Sequence, residues 1–333
     1  MTSAESIRTR LDDLALEITA QHDMSSRFGP LGRQRCLEDA RFHLQYLASA
    51  LEARSPALFL DYAAWTKVLL TARNIPERDL IHNLEVTARV LQDLPEAVEI
   101  LYTAIEQLPS MPDDVAGVLD PRAPLWAVSS AYLTALLAGN RADALQLVTR
   151  ALDEGASLRD VYRHVFESVQ QEIGRLWQLN QVSVAQEHYC TAATQHIMTQ
   201  LYGRMFSGER TGRRAVAMCV GGELHEVGLR IITDLLELAG WQTWYLGASV
   251  PPAAAVQLCV DRKTDVLLVS ATLPPHIAGV ADVIRSFRAR KELGAARVIV
   301  GGRAFHRAPD LWRRIGADGY AADADDCLTL LGA

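Results

Sequence analysis

The chain has 333 residues, 49% hydrophobic and 22% charged, with a formal net charge of -7. That length accommodates two or three domains, each with its own core, and the acidic balance argues against a broad nucleic-acid footprint, so no direct DNA binding is expected. Five scattered cysteines (Cys36, Cys190, Cys219, Cys259 and Cys327) without C-x-x-C spacing read as buried thiols rather than a zinc site, and with no leader pattern or long apolar run the expectation is a cytoplasmic chain that does not enter a membrane.

The first hundred residues read as helix throughout. Ile7, Leu11, Leu14 and Ile18 fall on one helical face. The chain breaks around Phe28-Gly29-Pro30-Leu31-Gly32, and a second helix is expected from about Gln34 to Ala53. Ser55-Pro56 has the form of an N-cap and first helical position, opening a third helix striped by Phe59, Tyr62, Trp65 and Leu69; Pro76 and Pro95 start a fourth and a fifth. Residues 1–110 are thus an all-helical domain, a bundle or a globin-like arrangement, whose aromatic stripe reads first as core. His22, His43 and His82, each alone, read as surface or core residues. The stretch 111–124 is rich in Pro and Asp and lacks any sustained period, which marks a linker.

A second helical block, 125–207, follows. Gly139-Asn140 stops one helix and Gly155 another. Ser157 with Asp160, and Ser183 with Gln186, have capping-box spacing; Val161, Val165, Val169 and Ile173 line one face down to Trp177, and a polar turn reverses the chain. Four helices with short connections predict a four-helix bundle.

After Gly208 the pattern changes. Apolar runs at Ala215–Val220, Gln242–Leu246, Asp265–Ser270, Val298–Val300 and Asp318–Ala321 alternate with helical segments. This predicts, over 213–333, a doubly wound parallel sheet of flavodoxin-like order 2-1-3-4-5. The whole chain is therefore expected to be multidomain, α followed by α/β.

The loop after the first of these runs reads Glu223-Leu224-His225-Glu226-Val227-Gly228: one imidazole among carboxylates at a strand-to-helix turn, on the edge where open α/β sheets keep their ligands. Ser270-Ala271-Thr272 closes the third run and Gly301-Gly302 the fourth. Together these resemble the cobalamin-binding signature D-x-H-x-x-G, S-x-L, G-G, with Glu in the Asp position and Leu273 one place late. The resemblance implies His225 as the lower cobalt ligand, Glu223 as the carboxylate that orients it, and a slot for the displaced nucleotide tail along Leu224, Gly228, Ser270, Thr272, Gly301 and Gly302.

Upstream, Trp177 followed after nine residues by Glu187-His188 resembles the W-x9-E-H pattern of light-sensing cobalamin proteins of the CarH type. That likeness implies that Trp177, Glu187 and His188 cover the upper corrin face and enclose the adenosyl group of adenosylcobalamin. In the best-known members a His that follows the Trp binds cobalt after illumination; Gln178 stands here, so that photoproduct cannot form through this position. The amino-terminal pattern Tyr46, Phe59, Tyr62, Trp65, Arg73 resembles the photocobilins, which pair cobalamin with biliverdin, and implies a bilin in residues 1–110.

The expected function is that of a non-enzymatic light sensor, a homo-oligomer (dimer or tetramer) whose contacts change when light removes the adenosyl group and which passes the signal to a downstream partner. The competing reading is a corrinoid methyl carrier of a methyltransferase system.

Overall fold

A computed structural model of the chain describes residues 1–21, 24–204 and 210–333. His22 and the break at Gly208, together with the end of the second helical block at 205–207, lie outside the described residues. Contacts divide the chain into two compact units: Met1–Asp114 with Leu273–Ala278 and His306–Leu311, and Val115–Thr272 with Gly279–Phe305 and Trp312–Ala333.

The first unit is helical. Its helices are α1 (Ser3–Thr9), α2 (Leu11–Gln21), α3 (Met24–Glu52), α4 (Pro56–Thr71), α5 (Glu77–Val90) and α6 (Pro95–Gln107). The single helix expected over Ile7 to Ile18 is two, because Arg10 caps α1 with its backbone N–H on Ser6; Ile7, Leu14 and Ile18 are still buried. The predicted break is a kink inside α3, where Gly29 sits at φ 65, ψ -163. Prolines mark the later starts as expected, Pro56 and Pro95 at first helical positions and Pro76 as an N-cap. Of the aromatic stripe, Phe59 and Tyr62 are core residues. Tyr62 stacks on Tyr46 at 3.8 Å between centroids, and its hydroxyl lies 2.8 Å from Nδ1 of the buried His43.

Lys67 on α4 is 2% exposed, a position lysine takes only when paired. Its Nζ donates to the carbonyls of Leu108 (3.0 Å) and Met111 (2.8 Å) and pairs with Glu77 (2.7 Å) and Asp113 (2.9 Å). Burial works against the charge, yet the bonds to the two carboxylates outweigh it and raise the pKa. The start of the linker is therefore tied to α4 and α5. Lys67→Met should lower the stability of the chain by about 2 kcal/mol, below the 3–5 typical of a broken buried pair because the carboxylate of Asp113 is 82% exposed and rehydrates. Coincident urea transitions for the two proteins would show that the tether contributes nothing.

The second unit joins a bundle to a sheet. The bundle consists of α7 (Trp126–Leu137), α8 (Arg141–Asp153), α9 (Leu158–Asp160) continuing through a π-helical segment, Val161–Glu167, into α10 (Ser168–Gln178), and α11 (Val184–Leu201). Ser157 accepts from the Asp160 N–H, and Ser183 with Gln186 forms a complete capping box. The π-helical segment was not foreseen; such segments widen the turn and concentrate at functional places. The second half of the linker lies on this bundle, with the Val118 N–H on Glu172 (2.9 Å) and the Arg175 guanidinium on the Val115 carbonyl (3.1 Å).

The sheet contains β1 (Arg214–Cys219), β2 (Gln242–Tyr245), β3 (Val266–Ser270), β4 (Arg297–Gly301) and β5 (Gly319–Ala321), with α12 (Val227–Leu238), α13 (Pro252–Arg262), α14 (Ile277–Arg288), α15 (Leu311–Arg314) and α16 (Ala324–Leu331) between and after the strands. The order is 2-1-3-4-5 and every pairing is parallel, as the alternation of apolar runs predicts. One contiguous apolar core runs from Tyr132, Phe166 and Ile197 of the bundle through Ile231 and Leu235 of α12 to Leu268 and Ile299 of the sheet. Bundle and sheet thus fold as one body. Among the described residues no helix is long and apolar enough to cross a membrane.

Candidate functional site

The carboxyl edge of the parallel sheet gathers the loops after β1, β3 and β4. Register puts Cys219, Ser270 and Gly301 side by side as the last residues of their strands. Past Cys219 the chain makes one further bridge, Val220 to Val250, and turns through Gly222 at φ 82. That turn buries Glu223 completely.

A buried carboxylate is tolerable only when its oxygens are paired. Oε1 of Glu223 accepts the backbone N–H of His225 (2.9 Å) and meets its Nδ1 at 2.6 Å, while Oε2 accepts the N–H of Thr272 at 2.6 Å. One carboxylate thus spans the loops after β1 and β3. With Nδ1–H donating to Glu223, Nε2 is the lone-pair nitrogen of the neutral ring, and the imidazole side chain is 58% exposed. The hydrogen bond to Glu223 raises the His225 pKa above its ordinary value; burial opposes this, and the charges of Glu223 and Glu187 add to the rise. A ring held by a carboxylate in this way is the usual support of a metal-ligating histidine.

Other motif residues occupy the same edge. Leu224 is 72% exposed beside His225. A Cβ at Gly228, in the first turn of α12, would meet nothing within 4 Å, so that face has room. Gly301 and Gly302 are also needed by the fold itself: a Cβ at Gly301 would come 3.2 Å from the Ala321 carbonyl, and one at Gly302, where φ is 100, would come 2.3 Å from that of Ala271. These two glycines let neighbouring strand ends approach each other.

The bundle supplies the opposite wall. Trp177 is half-buried on the last turn of α10, and Gln178 is buried. Across the turn, the carboxylate of Glu187 bonds to Nδ1 of His188, whose side chain is 75% exposed, and the Thr191 hydroxyl lies 3.2 Å from Glu187 Oε1 and 3.0 Å from Gln170 Oε1. Glu187, Thr191, Gln195 and Thr199 recur every four residues and so share one face of α11. Gln195 and Thr199 bond to Glu226 and Arg230 at the start of α12, at 2.7 and 2.8 Å. The two helices therefore run in the same direction, and Thr191 and Glu187 extend about 6 and 12 Å beyond the start of α12, over the carboxyl edge. The effect of the Glu187 charge on His225 agrees with this placement. Gln195, Glu226 and Tyr245 were not singled out in the sequence, although the four-residue spacing from Glu187 to Gln195 could have found the first of them.

Cobalamin needs a neutral imidazole, room beside it for the tail, and a cover. His225 on Glu223, the open side of Gly228 and the α10–α11 hairpin fit these needs.

Comparison with known proteins agrees. A family described as B12 binding domain matches residues 213–328, and a second family of the same description matches 128–202. The HTH-type transcriptional repressor CarA of Myxococcus xanthus is 30% identical over 161 residues, 46% of this chain and 52% of the repressor. Dimethylamine corrinoid protein 3 of Methanosarcina mazei is 28% identical over 111 residues, 33% of this chain and 65% of that protein. The chain thus spans only about half to two thirds of the length of these relatives. The structure of the Methanosarcina barkeri monomethylamine corrinoid protein shares the fold, with a TM-score of 0.55 at 20% identity over 62% of this chain and 98% of that one. Two successive stretches of this chain thus match B12 binding domain families, and together with the geometry around His225 they support cobalamin binding.

Proposed function

We propose that the chain is a light sensor that holds adenosylcobalamin between the α10–α11 hairpin and the carboxyl edge of its sheet. Bound there, adenosylcobalamin supplies a cobalt–carbon bond that visible light breaks. His225 would hold the metal through Nε2, Glu223 fixes the tautomer of the neutral ring so that this nitrogen carries the lone pair and aims it, and Gly228 with Ser270 would leave space for the nucleotide tail. Trp177 provides an apolar wall for the adenosine, while Glu187 and His188 hydrogen-bond its ribose or base. Gln178 is 5% exposed and is taken up by the bundle, so it would not serve as a ligand on illumination, and water or His188 would be the group available there. None of these groups is assigned a catalytic role. Signalling proceeds through changed contacts between copies of the chain and a downstream partner in the cytoplasm.

The observation that carries this reading is the polar face of α11, where Glu187, His188 and Thr191 form a hydrogen-bonded set over the site. A methyl group gives such a set nothing to bond; an adenosyl group does. In the same reading the packed rings of Tyr46, Phe59 and Tyr62, with Trp65 further along α4 and Arg73 just past its end, contribute to a biliverdin site in the helical unit. The alternative of a corrinoid methyl carrier is favoured by the relatives named as dimethylamine corrinoid proteins. The two readings separate on ligand choice and on light. Full-length protein is expected to bind adenosylcobalamin at least about tenfold more tightly than methylcobalamin, a difference of about 1.4 kcal/mol, and to change both visible spectrum and oligomeric mass under green light. Equal affinities with an unchanged mass after illumination would transfer the chain to the methyl-carrier class, and addition of biliverdin without a new red-absorbing band would remove the bilin.

A further inference from the structure

One face of α12 carries Glu226, Arg230 and Asp234, four residues apart, and each bonds a side chain of the bundle. Gln195 Nε2 donates to Glu226 Oε1 (2.7 Å), Arg230 donates to the Thr199 hydroxyl (2.8 Å), and the Tyr162 hydroxyl, on the π-helical segment, donates to Asp234 Oδ2 (2.9 Å). The top rung is the residue that directly follows His225. Glu226 occupies the N-cap position of α12 but does not cap it. Its second oxygen accepts instead from the Tyr245 hydroxyl at the end of β2, at 3.0 Å. Space for this carboxylate is made by Gly247, at φ 78, where a Cβ would lie 3.0 Å from Glu226 Oε2. Glutamate is not among the residues that cap a helix from this position, and the Glu226 carboxylate is instead held between the bundle on one side and the sheet on the other.

We propose that Glu226 is a positioning residue that couples the seating of α11 to the coordination geometry of His225, with Gln195 reporting from the cap and Tyr245 anchoring to the sheet. Movement of α11 along α12 shifts Gln195, pulls on Glu226 and rotates the backbone that carries the imidazole. By reciprocity, ligation of His225 changes how firmly α11 is seated. The proposal rests on His225 as the lower ligand but on neither light nor the adenosyl group.

The test uses the full chain in the dark with cobinamide, a corrinoid that lacks the nucleotide tail, so that any nitrogen on the lower face comes from the protein. Gln195→Leu and, separately, Tyr245→Phe are expected to lower the fraction of cobinamide in the histidine-ligated spectrum at least about fivefold, while the unfolding midpoint shifts little. The exchanged pair Gln195→Glu with Glu226→Gln restores the bond in the opposite sense and should return most of the ligated spectrum. Hydrogen exchange gives the converse: cobinamide should increase protection of α11 in the native protein and not in Glu226→Leu. If both single variants keep the native spectrum, or if α11 protection rises equally in Glu226→Leu, the coupling is absent. If wild type itself gives no ligated spectrum, the failure lies with the assignment of His225.

Discussion

Replacing Glu223 by alanine should weaken corrinoid binding about 10- to 100-fold, the range found when the carboxylate behind a metal-ligating histidine is lost. The geometry explains why the effect is large. Glu223 is wholly buried and accepts three N–H groups, the backbone and ring of His225 and the backbone of Thr272. Removing it frees the imidazole to rotate and leaves two backbone donors without their acceptor, at about 1–3 kcal/mol each where water cannot reach. Glu223→Gln is the more informative variant. A glutamine amide can turn only one acceptor, so its NH2 faces the donor of either His225 or Thr272. The pH dependence adds a signed expectation. Glu223 raises the His225 pKa from 6.5, so without ligand the imidazolium–carboxylate pair stabilises the fold fully below about 6.5 and this contribution is lost as pH rises through the raised folded value. A metal and a proton compete for the ring, so histidine ligation of cobinamide should grow over that same upper range. In Glu223→Gln the midpoint of that growth should fall towards 6.5, even though the maximum ligated fraction is smaller. A spectral pH titration of both proteins measures this, and identical midpoints would mean that Glu223 does not set the ring's basicity.

How far the chain can be read without its structure differs between its parts. The sheet order follows from alternation alone, because parallel strands covered on both faces must be near-continuous apolar runs, and Ala215–Val220 and Asp265–Ser270 are of that kind. Helix starts were legible wherever a local chemical rule governs them, as at Pro56, Ser157 and Ser183. The site's lower half was legible for the same reason: Glu223 and His225 are two residues apart, and their pairing is a local event. Its upper half joins residues 187–199 to 223–230, and no periodicity within either segment states that they meet. Likewise nothing next to Lys67 in the chain marks it as buried, and only the return of residues 108–113 makes it a tether. The π-helical segment at Val161–Glu167 had no signal either, since Val161, Val165 and Val169 satisfy an ordinary helical period. Long-range polar contacts, in short, are set by the packing that the apolar pattern produces and are not written beside the residues that make them.

Gly302→Ala should destabilise the fold by more than about 3 kcal/mol, while Gly228→Ala should leave stability unchanged or raise it by about 1 kcal/mol. Both glycines belong to the same ligand-binding signature, yet the backbone treats them in opposite ways. At Gly302, φ is 100, and an added Cβ would lie 2.3 Å from the oxygen, 2.7 Å from the carbon and 3.1 Å from the nitrogen of Ala271. Those are backbone atoms just past the end of β3, held by the bond from the Ala271 N–H to the Gly301 carbonyl at 3.0 Å, so they cannot move aside without breaking the β3–β4 pairing. Strain in the positive-φ region alone costs about 1–3 kcal/mol, and the overlap adds to it. Gly228, by contrast, lies in the first turn of α12 with no atom within 4 Å of a built Cβ, and alanine is the better helix former. What Gly228→Ala should lose is corrinoid affinity, because the methyl group enters the space left for the tail; cobinamide, which has no tail, should bind the variant as it binds the native chain. Urea unfolding of the two variants, with paired titrations of cobalamin and cobinamide, measures all four quantities. A stable Gly302→Ala protein would remove the steric account of the second glycine, and equal loss of cobalamin and cobinamide affinity in Gly228→Ala would move the tail away from the start of α12.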